Sequence, residues 1–181
     1  MAASVIINRL TGAGPTTTDI TSATNRMSTS DVVAPGTSDP IPIPGAGTNY
    51  SYWVTTRLEV ITTAPDNGIN NIKWYSDNTG FGTGLTCMGD PATAYTQAAG
   101  GGHVQGTTGD VLNSTNYPSL TSASGTDVTT YTSGAPKSVT GSIGASLGEF
   151  GDRFVYQLGV GSTADVGTMT ARTFTWQFDE T

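Results

Sequence analysis

Between residues 50 and 62 apolar and polar positions alternate. Tyr52, Val54, Leu58 and Val60 fall on one side, and Ser51, Trp53, Thr55, Arg57 and Glu59 on the other. A period of two predicts a half-buried β-strand. Asp66-Asn67-Gly68 reads as a turn. Residues 69–76 form a second strand with Ile72 and Trp74 inward. Asp77-Asn78-Thr79-Gly80 closes it, and Phe81-Gly82-Thr83-Gly84-Leu85-Thr86-Cys87 follows, which predicts a hairpin between the two. The pattern weakens over 88–136, where short strands are expected near 94–97, 103–105 and 127–131, joined by surface excursions. It clears again after Lys137. Val139, Gly141 and Ile143 share a face, then Phe154, Tyr156, Leu158 and Val160. A last strand over 168–178 carries Phe174, Trp176 and Phe178 on one side. No ten-residue stretch combines helical spacing with helix formers. Seven to nine strands with turns every ten or so residues predict an all-β protein. The expected form is an antiparallel β-sandwich, Ig-like or jelly-roll, with two inner faces around one core.

The first 48 residues differ from this body. After Val5-Ile6-Ile7 comes Gly12-Ala13-Gly14-Pro15-Thr16-Thr17-Thr18. A Ser/Thr/Asn stretch follows, then Asp39-Pro40-Ile41-Pro42-Ile43-Pro44-Gly45. Alternate prolines fix φ and remove donors, which favours extended polyproline II over a central strand. Residues 1–48 are read as an extended N-terminal arm with one edge strand at its start. Residues 49–181 are read as the sandwich body, with a loop-rich excursion at 88–136.

Composition sharpens this picture. Of 181 residues 12% are charged, with two Lys, five Arg and fourteen acidic residues for a net charge of −7. So few scattered cations argue against a nucleic-acid partner, which would need its phosphates neutralised. Thr is the commonest residue at 33, while Leu, Ile, Val and Phe together also number 33. The aliphatic core is thin, and a neutral Thr/Ser/Gly surface loses little side-chain entropy when covered. That suits a protein whose surface is packed against neighbours. No basic stretch precedes an apolar run at the N-terminus, so no signal peptide is predicted, and no apolar run is long enough for a membrane helix.

Candidate chemistry is sparse. Cys87 is the single cysteine, read as a small buried hydrophobe, and His103 is the single histidine, read as a loop residue. Neither a Cys-based zinc site nor a facial iron triad can be built from them, and no cofactor is implied. Gly-x-Ser-x-Gly is absent. Gly80-Phe81-Gly82-Thr83-Gly84 resembles a phosphate loop only in its glycines. It lacks Lys, and its plainer reading is a strand where another backbone passes close. Asp66-Asn67-Gly68 and Asp77-Asn78-Thr79-Gly80 offer oxygens to calcium but are ordinary turn sequences. Trp53, Tyr75 and Tyr117 are the candidate interface or stacking aromatics.

Asn49-Tyr50-Ser51-Tyr52-Trp53, Asn70-Asn71-Ile72-Lys73-Trp74-Tyr75-Ser76-Asp77, Gly80-Phe81-Gly82-Thr83-Gly84 and the ending 154–158 with 174–180 resemble small tailed-phage virion proteins. The nearest resemblance is to head decoration (cement) proteins. It covers 50–87 and 150–181 and rests on texture, with no diagnostic motif. It implies a β-sandwich body with an arm and no enzymatic activity. It also implies binding to the major capsid protein on the outer shell, often as a homotrimer, in a virion assembled in the host cytoplasm.

The expectation is therefore a non-enzymatic virion structural protein. Val5, Ile6, Ile7, Ile41 and Ile43 serve as arm anchors on a neighbouring subunit, and partners are the major capsid protein and copies of the same chain. One alternative is a carbohydrate- or receptor-binding module that stacks glycan on Trp53, Tyr75 or Tyr117. Another is a tail-tube or connector component.

Overall fold

In the computed structural model, which describes residues 2–98 and 107–181, the chain is an all-β sandwich of two sheets. Its strands are β1 (Val5–Thr11), β2 (Thr16–Asp19), β3 (Thr48–Tyr50), β4 (Val54–Val60), β5 (Gly68–Ser76), β6 (Leu85–Ala92), β7 (Thr126–Asp127), β8 (Lys137–Ser138), β9 (Ile143–Gly144), β10 (Gly148–Gly161) and β11 (Phe174–Glu180). The larger sheet runs β2-β1-β4-β10-β6-β7, with β3 also on β10. The smaller runs β11-β5-β8, with β9 also on β5. All pairings are antiparallel. No α-helix occurs among the described residues, and none is long and apolar enough to cross a membrane.

The main core lies between the sheets. Val54, Leu58 and Val60 of β4 and Phe154, Tyr156, Leu158 and Val160 of β10 meet Ile69, Ile72 and Trp74 of β5, as their periodicity predicts. The Trp74 ring stacks on Phe154 with centroids 3.8 Å apart and planes 9° off parallel, and Phe174 lies 4.9 Å away. Aromatic rings thus fill the space that the sparse aliphatics leave, and each removes a large apolar area from water.

Four features differ from the sequence reading. First, β5 and β6 form no hairpin. The connection 77–84 crosses from one sheet to the other, and β6 pairs with β10 and β7 instead. Second, β1 is not an edge. It lies between β4 and β2, because Gly12 (φ 85°) turns the chain back on itself. Third, the last strand begins at Phe174 and not near 168, and residues 94–97 form no strand. The expected strand at 127–131 is a two-residue bridge, β7, followed by one 3₁₀ turn at Val128–Thr130. The strand expected at 103–105, with His103, falls outside the described residues.

The fourth difference governs the rest. There are two cores, not one. Tyr52, Trp53, Ala92, Ala98, Leu112, Tyr117, Leu120 and Val155 form a second cluster. It includes Trp53 and Val155 from the side of the larger sheet facing away from the smaller one. The excursion folds back and covers that face, so 154–160 are all buried. Gln157 fastens it. Its Oε1 accepts from Leu112 N (2.7 Å), and its Nε2 donates to Ser51 O (2.7 Å) and Asp110 O (2.6 Å). A buried side-chain amide needs such partners, and here two are backbone groups of the covering layer, Asp110 and Leu112, and the third is Ser51 beside β4.

Candidate functional site

The three candidate aromatics are placed by this second core. Trp53 does project from the polar-looking side of β4, yet it is 4% exposed. Its Nε1 donates to Thr96 O at 2.9 Å, and its ring meets Tyr117 edge-on at 5.4 Å. Tyr117 is fully buried. Its hydroxyl accepts from Thr96 N (3.1 Å) and shares a 3.2 Å hydrogen bond with Thr55 Oγ1. Burial raises the pKa of that hydroxyl. Trp53 and Tyr117 are therefore interior posts for the excursion and offer no stacking platform. Tyr75 is half-buried against the main core. The sequence pattern marks Trp53 as outward but cannot say that a distant segment returns to cover it.

The expected arm anchors divide in a similar way. Val5, Ile7 and Ile41 are half-buried and pack against the chain's own main core. On β1, Val5 stands opposite Val60 and Ile7 opposite Leu58. Ile6 is half-buried, and Ile43 is 36% exposed.

A residue that the sequence reading passed over holds the arm. Arg9 is 1% exposed. Its Nη1 donates to Asn25 Oδ1 (2.6 Å) and, at 3.4 Å, to the carbonyls of Arg26 and Val33. Asn25 in turn donates to the Tyr156 hydroxyl at 2.8 Å. Burial depresses the guanidinium pKa, while Tyr156, Asp31 and Tyr95 nearby oppose that shift. A lone Arg within the apolar run Val5–Leu10 was the available signal.

The other polar groups are engaged in holding turns and loops. Asp90, fully buried on β6, meets Lys137 Nζ of β8 at 2.8 Å and accepts from Ser122 Oγ, so it ties the two sheets and the excursion together. Burial acts to lower the pKa of the Lys137 ammonium, but Asp90 and Tyr131 outweigh it and leave it raised. Asp77 Oδ1 accepts from Thr79 N (3.0 Å) and Oδ2 from Thr173 N (2.9 Å). Asp127 Oδ1 accepts from Thr129 N and Oγ1. At the Asp66-Asn67-Gly68 turn, the amides of Asn67 and Gly68 both donate to Thr181 O. Among the described residues no three His, Cys, Asp or Glu side chains are grouped to hold a metal ion.

One open depression of about 440 Å³ is lined by Gly80, Phe81, Gly82, Leu85, Thr86, Cys87, Asp127 and Thr129. Cys87 at its floor is wholly buried, and burial drives its thiol pKa up, away from the reactive thiolate. Residues 80–84 form no strand, and of their glycines Gly84 alone is closely approached by another backbone segment. A Cβ on Gly84 (φ 67°) would lie 2.5 Å from Ala164 N, and Gly84 O accepts from Gly161 N at 2.7 Å. Of the polar side chains in the lining, Asp127 and Thr129 are hydrogen-bonded to each other at the start of the 3₁₀ turn. Comparison of the chain with protein-family models, with curated proteins and with solved structures finds no match.

Proposed function

We propose that the protein is a non-enzymatic structural component of a virion, a decoration protein that binds the major capsid protein on the outer shell. One observation carries the reading: the polar side chains that could do chemistry are engaged in fastening the chain's own loops. Asp90 holds Lys137, Asp77 and Asp127 hold turns, Gln157 holds the excursion and Arg9 holds the arm. What reaches solvent is a surface with few charges, on a chain with 12% charged residues. Such a surface costs little desolvation when a neighbour covers it. The resemblance of 50–87 and 150–181 to cement proteins adds the shell as partner and supports a homotrimer. The glycan-binding alternative is weaker, since Trp53 and Tyr117 are buried and Tyr75 alone does not make a platform.

The test mixes purified full-length protein with empty heads of the virus that carries its gene, before and after shell expansion. Saturable co-sedimentation with a fixed number of copies per capsomer is the expected result. Absence from the pellet at micromolar protein would overturn the reading.

A further inference from the structure

We propose that copies of this chain join by strand addition, with the proline-alternating segment 40–44 of one copy pairing along the free edge of β11 in another. The inference rests on the assembly role proposed above and names the contact.

The acceptor edge follows from the register. Asp77 N donates to Thr173 O at 3.0 Å, and Thr175 stands opposite Tyr75, Gln177 opposite Lys73. In an antiparallel pair, residues alternate between those facing the partner strand and those facing away. Thr173, Thr175 and Gln177 therefore direct their N–H and C=O groups to β5. Phe174, Trp176 and Phe178 direct theirs outward. Ser76, opposite Phe174, agrees with this phase, because its N–H donates away from β11 to Tyr131 O at 2.9 Å. Strand β11 pairs only with β5, and among the described residues no other backbone hydrogen bond reaches these three residues. Natural edges are usually guarded by Lys, Pro or inward charge. Phe174-Thr175-Trp176-Gln177-Phe178 has none.

The donor has the complementary property. In Pro40-Ile41-Pro42-Ile43-Pro44 every second residue lacks an N–H, and each isoleucine precedes a proline, which holds it extended. The prolines offer only carbonyls, so the backbone donors of this segment are the N–H groups of Ile41 and Ile43. Two of the proline carbonyls are already held by the chain itself. Pro42 O accepts from Asn49 Nδ2 at 2.8 Å, and Pro40 O from Thr29 Oγ1 at 3.4 Å. The N–H groups of Ile41 and Ile43 have no protein partner among the described residues.

Two unpaired, uncharged edges with the same two-residue spacing therefore stand on one molecule without meeting each other. A second copy satisfies both. Donor and acceptor are different surfaces of the chain, so the contact is heterologous, and it closes into a ring where the rotation between successive copies closes.

The test uses the full chain. Equal amounts of ordinary and ¹⁵N-labelled protein, both carrying benzoylphenylalanine at position 43, are mixed and irradiated, and cross-linked peptides are read by mass. The expected product joins position 43 of one isotopic copy to 174–178 of the other. In parallel, sedimentation measures self-association. Ile43→Pro, which removes the N–H, should weaken it about tenfold or more, while Ile43→Val stays within about twofold. Cross-links confined to single copies, an unchanged association of Ile43→Pro, or a wild type that stays monomeric would each overturn the inference. Those outcomes leave shell binding standing, because that is measured separately by co-sedimentation. Lost shell binding with intact self-pairing would strike the earlier reading alone.

Discussion

Asp77 shows how a single side chain can read as a ligand in sequence and act as a fastener in the fold. It opens a turn and also accepts from Thr173 N at the start of the last strand, 96 positions away in sequence. Burial acts to raise its carboxyl pKa. Hydrogen bonds from Thr173 and Thr79, with Arg172 nearby, outweigh this and hold it below its ordinary 3.8. A depressed carboxyl stabilises the fold above the unfolded value, and that contribution disappears as pH falls through the folded one. Wild type should therefore melt above Asp77→Asn at neutral pH, with the gap closing below pH 3.8. Thermal melts across that range check it. A gap independent of pH would show that the amide is lost for another reason, such as altered turn geometry.

Single elements gain their character from what crosses them. The arm is an element of this kind: between β2 and β3 it has no ladder, and Arg9 provides a central fastening to β1. Removing the guanidinium leaves acceptors at half-buried positions that water can reach, so the sandwich itself survives. Loss of about 1–2 kcal/mol of docking would raise the open population of the arm roughly 5- to 30-fold. Arg9→Met should accordingly be cut by trypsin at Arg26 faster by about that factor, with the denaturation midpoint of the body little changed. Equal cleavage rates in the two proteins would show that Arg9 does not secure the arm. The β10 strand is the opposite case. Its register shifts between Phe150 and Phe154, where Gly151 (φ 66°) bulges and its carbonyl accepts from Arg57 Nε at 2.8 Å. Beyond the bulge it is paired on both sides and covered on both faces.

For the molecule as a whole, this places the slowest-opening region on β10 and not midway between the sheets. Strand β4 flanks it on one side and β6 on the other, the smaller sheet covers one face and the excursion the other. Residues 154–160 should retain amide protons longest in hydrogen exchange, with Thr16–Asp19 of the edge strand β2 exchanging first. Comparable exchange of 154–160 and β2 would contradict the two-core organisation.

The residues that declared themselves in sequence are those with one covered face within their own strand. Val54, Leu58 and Val60, like Ile72 and Trp74, alternate because local backbone geometry sends successive side chains to opposite sides. That rule needs no knowledge of distant chain, so the sequence alone determined the all-β class, the sandwich and the inward residues of the regular strands, while Tyr52, expected on the side of Val54, joins Trp53 in the second core. It also marked the stretch 80–84 as a place of close backbone approach, which Gly84 is, and Pro40, Pro42 and Pro44 as positions without donors. The tertiary structure alone decided the partners. β5 and β6 are neighbours in sequence yet lie in different sheets, β1 became interior once β2 folded beside it, and Trp53 became core once the excursion closed over it. Pairing and covering join residues tens of positions apart, as Gln157 joins Ser51 and Leu112. Such contacts depend on which of many possible long-range closures has the lowest free energy, and local periodicity carries no record of that choice.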